Sequence, residues 1–137
     1  MDAVVLDAQP LVAYLTNEPG ADLVYERLVT HRAAGAMLVS SVNWCEVLYV
    51  VRRSLGVHAT ATASRLLANV PVSVLTADEG LATFAAEIKF RHRLGLGDAF
   101  AAGLAIATDS PLLTGDAAFL PLVEHGLKLD WVGPETA

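Results

Sequence analysis

At 137 residues, 54% of them hydrophobic, with a mean hydropathy of +0.48, the chain is long enough to bury a substantial core in one domain. Its longest uncharged run, 33–45, is 13 residues, short of the roughly 18 that a membrane-spanning helix needs. The net charge of −6 counts against ordinary phosphate binding by Lys and Arg, unless acids gathered in one place hold cations and invert the local charge.

The opening MDAVVLDA carries an acid where a secretory signal would carry positive charge. The single cysteine, Cys45, excludes an internal disulfide and agrees with a reducing compartment. A soluble, cytoplasmic protein is therefore expected. Short β-branched runs then alternate with helical stretches, the pattern of an α/β domain with a central parallel sheet flanked by helices.

In chain order, the strand AVVL (3–6) precedes helices over 10–16 and 21–34. The second of these ends in His31 and Arg32 before Gly35, a basic last turn followed by a C′ glycine. The strand AMLV (36–39) leads into a helix over 42–55, which ends in Arg52, Arg53 and Gly56 in the same manner, and another helix is expected over 58–69. After the strand VSVL (72–75), TADE places Thr76 as N-cap with Glu79 three residues on, a capping box for a helix over 78–92. A helix over 98–108, the strand PLLT (111–114), a short helix over 117–125 and the strand LDWV (129–132) complete the pattern. With no repeat and no long linker, residues 1–137 read as a single domain.

Most of the acids, among them Asp22, Glu26, Asp78, Glu79, Glu87 and Glu124, lie on helices with polar neighbours and read as solvated faces. Four acids instead interrupt apolar sequence. Asp7 follows the first strand, and Glu46 divides AAGAMLVSSVNWC from VLYVV. Asp98 precedes AFAAGLAIAT, and Asp116 separates SPLLTG from AAFLPLV. On a helix Glu46 has Val42, Asn43, Tyr49 and Val50 as neighbours, and Asp98 shares its face with Ala101, Ala102 and Ala105. Taken singly, Asp7 also fits a turn before Pro10, and Asp98 and Asp116 also fit helix caps. Asp109, in the turn TDSP, and Asp130, expected to face solvent from an edge strand, are set aside.

Burying an unpaired carboxylate is expensive, and four of them cannot all stay ionised at close range without cations. Oxygen-only ligands suit hard ions, so Mg²⁺ or Mn²⁺ is expected over Zn²⁺, as one or two ions. Such a cluster fits phosphodiester hydrolysis by a metal-activated water.

At these residues the chain resembles the PIN-domain ribonucleases, and within them the VapC-type toxins of toxin–antitoxin pairs. The resemblance covers essentially the whole chain and rests on VVLDAQPLVAYL, SSVNWCEVLYVV, LGLGDAFAAGLA and LLTGDAAF, in that order. It implies that Asp7, Glu46, Asp98 and Asp116 are both the catalytic residues and the metal ligands of a Mg²⁺- or Mn²⁺-dependent endoribonuclease. It also implies an antitoxin that occludes the site, and a homodimer. Thr114 matches the family's hydroxyl residue two positions before the last acid. As an auxiliary group sharing a strand face with Asp116, it would orient a metal-bound water; a plain strand-end Thr is the alternative.

One departure is Ala8-Gln9-Pro10 after the first acid, where the family commonly has a small hydroxyl residue. That puts the positioning around Asp7 in question. Lys89, Arg91, His92 and Arg93 lie just before Asp98 and suit either an RNA backbone or the negative end of a helix. Arg52 and Arg53 fit the helix-end role better. His31, His58, His92 and His125 are scattered and form no metal-free His–His nuclease pair.

Two rival functions remain. A phosphatase of the haloacid dehalogenase type also places an Asp after its first strand, but it requires a second Asp where Gln9 stands. A non-catalytic domain whose acidic pocket receives a partner's Arg or Lys would need the carboxylates only for charge.

Overall fold

Val4, Val5 and Leu6 form strand β1 (Val4–Leu6), all three fully buried, and the fold is built outward from it. In the computed structural model, which describes residues 3–69 and 72–134, β1 is the middle of a five-stranded sheet. Its other strands are β2 (Met37–Ser40), β3 (Val72–Leu75), β4 (Leu112–Thr114) and β5 (Leu129–Trp131), in the order β3-β2-β1-β4-β5. Every pairing is parallel: Val4 lies beside Met37, Val5 beside Leu112, Met37 beside Val72, and Leu112 beside Leu129.

Because side chains alternate along a strand, β1 feeds two cores. Val4 and Leu6 pack with Leu11, Val24, Leu28, Val47 and Val51 under helices α1 (Ala8–Leu15), α2 (Ala21–Ala34) and α3 (Ser41–Leu55). Val5 and Leu112 pack on the opposite face under α5 (Glu79–His92) and α6 (Leu96–Ala107). Burial on both faces is what makes the parallel strands read as short, continuous apolar runs. A 3-10 turn (Gly56–His58), α4 (Ala59–Asn69) and a 3-10 segment (Ala117–His125) complete the described chain. Among the described residues, no helix is long and apolar enough to cross a membrane.

Helix α6 lies close to the sheet because its inner face is small. Ala99, Ala101, Ala102 and Ala105 are each fully buried, and Gly103 admits Leu81, Phe84 and Ile88 from α5. At the end of β4, Gly115 meets Gly133 backbone to backbone: a Cβ on Gly133 would collide with Trp131 and Gly115, and one on Gly115 would press tightly on Gly133.

The helix ends refine the expected boundaries. Helix α1 starts at Ala8 because Asp7 itself is the N-cap, which places Pro10 in the first turn, where its missing N–H costs nothing. Asp78, not Thr76, caps α5: its side chain accepts from the Leu81 N–H at 2.9 Å and leaves Thr76 outside the helix. Helix α6 starts at Leu96, so Asp98 stands inside its first turn and Gly95 takes the cap position. Gly35 and Gly56 are themselves the caps of α2 and α3, and only Gly56 uses a left-handed φ, +77°. The segment 117–125 is 3-10 with Pro121 inside it. Asp130 does not face solvent: its carboxylate holds His31 Nε2 at 2.6 Å, with Arg27 Nε at 3.6 Å, tying β5 to α2.

The alanine face sets a prediction. Replacing Ala102 with Leu forces a larger side chain into a filled interface and is expected to cost about 1–3 kcal/mol, read from urea unfolding.

Candidate active site

The carboxyl ends of β1 and β4, which pair directly, bring Asp7 and Thr114 together. Asp7 is 3% exposed. Its Oδ1 accepts from the Ala8 N–H at 2.9 Å, and its Oδ2 accepts from the Thr114 hydroxyl at 2.9 Å. The same hydroxyl oxygen accepts from the Asp116 N–H at 3.0 Å, and Asp116 Oδ1 in turn accepts from Ala118 N–H at 2.9 Å to cap the 3-10 segment. Strand β4 ends at Thr114, so Asp116 lies in the turn beyond it and not on a shared strand face, and the Thr114 proton is donated to Asp7. The residue positions a carboxylate.

Glu46 reaches the site from α3. Asn43, one turn earlier, donates from Nδ2 both to Glu46 Oε1 and to the Gly97 carbonyl, each at 2.9 Å. Asn43 is held by Ser40, whose hydroxyl donates to Asn43 Oδ1 at 2.6 Å and accepts from its N–H at 3.1 Å. Both residues are fully buried. The Glu46 carboxylate lies against Gly97, so that a Cβ there would overlap it.

Electrostatics link the four acids. Asp7 is raised to about 7, first by burial and then by the negative charges of Asp98 and Asp116; the hydrogen bonds from Thr114 and Ala8 oppose the rise. Asp98 is raised to about 6 by burial and by the charges of Asp116 and Glu46. The charges of Asp116 and Glu46 thus reach Asp98, and the charge of Asp98 reaches Asp7. Among the described residues, no three His, Cys, Asp or Glu side chains close into a ready-made metal cage.

A model of the PIN domain matches residues 4–122. The chain belongs to the PIN-domain family. This PIN domain is similar in fold to VapBC2 from Rickettsia felis, solved bound to a DNA fragment from their promoter, with a TM-score of 0.78 and 19% identity over 93% of this chain and 97% of that one. It is also similar to DNA-bound VapBC from Salmonella typhimurium, with a TM-score of 0.72 and 20% identity over 96% and 99% of the two chains. A third similar fold is VapC20 of Mycobacterium tuberculosis, a sarcin–ricin loop cleaving toxin, with a TM-score of 0.71 and 18% identity over 86% and 93%. Among curated protein sequences, none matches significantly.

The basic residues before Asp98 are placed differently from one another. Lys89 Nζ donates to the Leu94 carbonyl at 2.8 Å, and Arg91 pairs with Glu87 at 2.6 Å on the exposed face of α5. Arg93 is exposed, holds a left-handed φ of 55°, and makes no ion pair among the described residues. Gln9 answers the question raised by its unusual place in this PIN domain. Its Oε1 accepts from the Gly115 N–H at 3.0 Å, pinning the turn between Thr114 and Asp116. Sequence reasoning missed Gln9, Ser40 and Asn43 as supports; the polar SSVN inside an apolar run was the available signal.

Two measurements follow from this geometry. Asp7 and Asp98 keep protons in the folded state at pH values where an unfolded Asp, near 3.9, has lost them. Their contribution to stability is therefore full below about 4 and is lost as pH rises through about 6 to 7. The metal-free protein is expected to melt at a higher temperature at pH 5 than at pH 7.5, and Asp98→Asn is expected to flatten that slope. Thr114→Val removes the partner of Asp7 and of the Asp116 N–H. It is expected to cost about 1–3 kcal/mol in urea unfolding and to push the Asp7 carboxyl further up, visible by NMR titration.

Proposed function

We propose that this PIN domain is a Mg²⁺- or Mn²⁺-dependent endoribonuclease, the toxin of a toxin–antitoxin pair. The observation that carries the reading is Asp7, buried at the carboxyl end of β1 with both oxygens held by Thr114 and the Ala8 N–H, where burial and the charges of Asp98 and Asp116 push its carboxyl up to about 7. Strongly perturbed carboxylates gathered at such an edge are a functional signature.

The residues fit the metal. Asp7, Glu46, Asp98 and Asp116 offer only hard oxygen donors, and a cation among them removes the repulsion that raises Asp7 and Asp98. Mg²⁺ ordinarily takes one or two carboxylates and completes its shell from water and substrate phosphate. When bound, Mg²⁺ or Mn²⁺ supplies Lewis-acid polarisation of the scissile phosphate and lowers the pKa of an attacking water.

The chain's own groups do the positioning. Thr114 and the Ala8 N–H fix both oxygens of Asp7, Asn43 aims Glu46 and fastens it to α6, and Gln9 steadies the turn before Asp116. Water attacks in line, so the substrate 2′-OH is not needed as nucleophile and cyclic phosphate ends are not expected. Arg93 is the best placed of the basic residues to meet an RNA backbone. The similar folds that are toxin–antitoxin complexes, and one that is a toxin cleaving the sarcin–ricin loop, support RNA as substrate and an antitoxin that covers the acids. A homodimer is the expected assembly.

The test is cleavage of total RNA by the purified chain with and without Mg²⁺, the ends mapped by sequencing. Asp98→Asn is expected to lower cleavage at least a hundredfold while remaining folded; full activity in that variant would defeat the assignment.

A further inference from the structure

The chain has four histidines, and two of them meet in the fold. His92 is the last residue of α5, and His125 is the last of the 3-10 segment (Ala117–His125). Their ring centroids lie 4.8 Å apart, with the ring planes tilted by 57°. His31, by contrast, is a satisfied structural histidine, its Nε2 committed to Asp130 at 2.6 Å. Among the described residues, no hydrogen bond uses either ring of the pair. Glu124 Oε1 lies 3.6 Å from His125 Nε2, beyond hydrogen-bond distance.

The spacing matches two imidazoles on one ion. With a bond of about 2.1 Å from ion to nitrogen, each ring centroid sits roughly 3.2 Å from the ion. Two such rings are about 4.5 Å apart at a right angle and about 5.2 Å apart at a tetrahedral one. The observed 4.8 Å falls between them.

The surroundings favour a cation. Both rings close a helical segment, where unpaired carbonyls attract positive charge. Both also line a cavity of about 200 Å³, in which the charge of Arg91 is answered by Glu87 at 2.6 Å. Phe84, Ile88, Ile106 and Leu122 supply the rest of its wall and offer no competing ligand. Glu124, with its side chain 80% exposed, is free to complete the shell alongside water.

We propose that His92 and His125 form a site for a divalent ion that prefers imidazole, of the Zn²⁺, Ni²⁺ or Cu²⁺ class. It is an open site of two protein nitrogens, not a closed cage. It lies at the opposite end of the 3-10 segment from Asp116, and its nitrogen donors set it apart from the oxygen-only carboxylates. An ion there clips the end of α5, which leads through 93–95 into the helix of Asp98, to the end of the segment that Asp116 caps. Nothing in the site depends on the ribonuclease reading.

The test uses the untagged chain in excess Mg²⁺, so that hard ions already occupy any carboxylate site. Calorimetric titration with Zn²⁺ is expected to show one ion bound per chain. His92→Gln and His125→Gln are each expected to raise its Kd about tenfold or more, with an unaltered melting temperature in EDTA. Asp98→Asn is expected to leave the Zn²⁺ affinity unchanged, which separates this site from the nuclease. In the wild-type chain, Cu²⁺ below one equivalent is expected to broaden the imidazole proton NMR signals of His92 and His125 and to leave those of His31 and His58 sharp. Equal broadening of all four histidines, no Zn²⁺ binding in the millimolar range, wild-type affinity in either histidine variant, or loss of binding in Asp98→Asn would each overturn the site.

Discussion

The arrangement depends on holding like charges together in a poorly hydrated place. A carboxylate moved out of water raises its own pKa, and each negative neighbour raises it further. Asp7 and Asp98 show both effects at once. A fold can keep such a cluster only if the surrounding structure is stable enough to absorb the cost. Here that stability comes from a sheet buried on both faces and from a helix, α6, whose alanine face lets it lie directly on β1.

Around the acids the chain places neutral polar groups whose hydrogen-bonding capacity is almost wholly committed. The Thr114 hydroxyl donates to one acid and accepts from the backbone of another. Asn43 uses its amide on Glu46 and Gly97 and its carbonyl on Ser40. Each buried polar atom with a partner avoids a desolvation penalty, and each bond also removes a direction in which a carboxylate might swing. These bonds fix Asp7 at the end of β1, Glu46 in the middle of α3 and the turn that carries Asp116, while Asp98 stands in the first turn of α6.

The acids and the strands were legible in the sequence because they break a rule: a lone charge in apolar surroundings, and β-branched runs too short for helices. The supports were not legible, because Ser, Asn and Gln at those places have ordinary local roles as caps and helix residues. Only the tertiary structure shows that Gln9 reaches across to Gly115 or that Asn43 joins two helices. Asp130 failed in the opposite direction. Sequence spacing put it on a solvent face, yet its partners His31 and Arg27 lie about a hundred residues away in the chain and are visible only after folding. Thr76 lost the cap of α5 to Asp78 because the helix begins later than the capping-box pattern suggests.

Glu46 has the longest side chain of the four acids, and its carboxylate lies against the bare Cα of Gly97. What a Cβ at 97 would first meet is the far end of that side chain and no backbone. A substitution at a glycine on α6 would therefore be felt first as a change of aim in an acid on α3, before it is felt as a change in how the two helices pack.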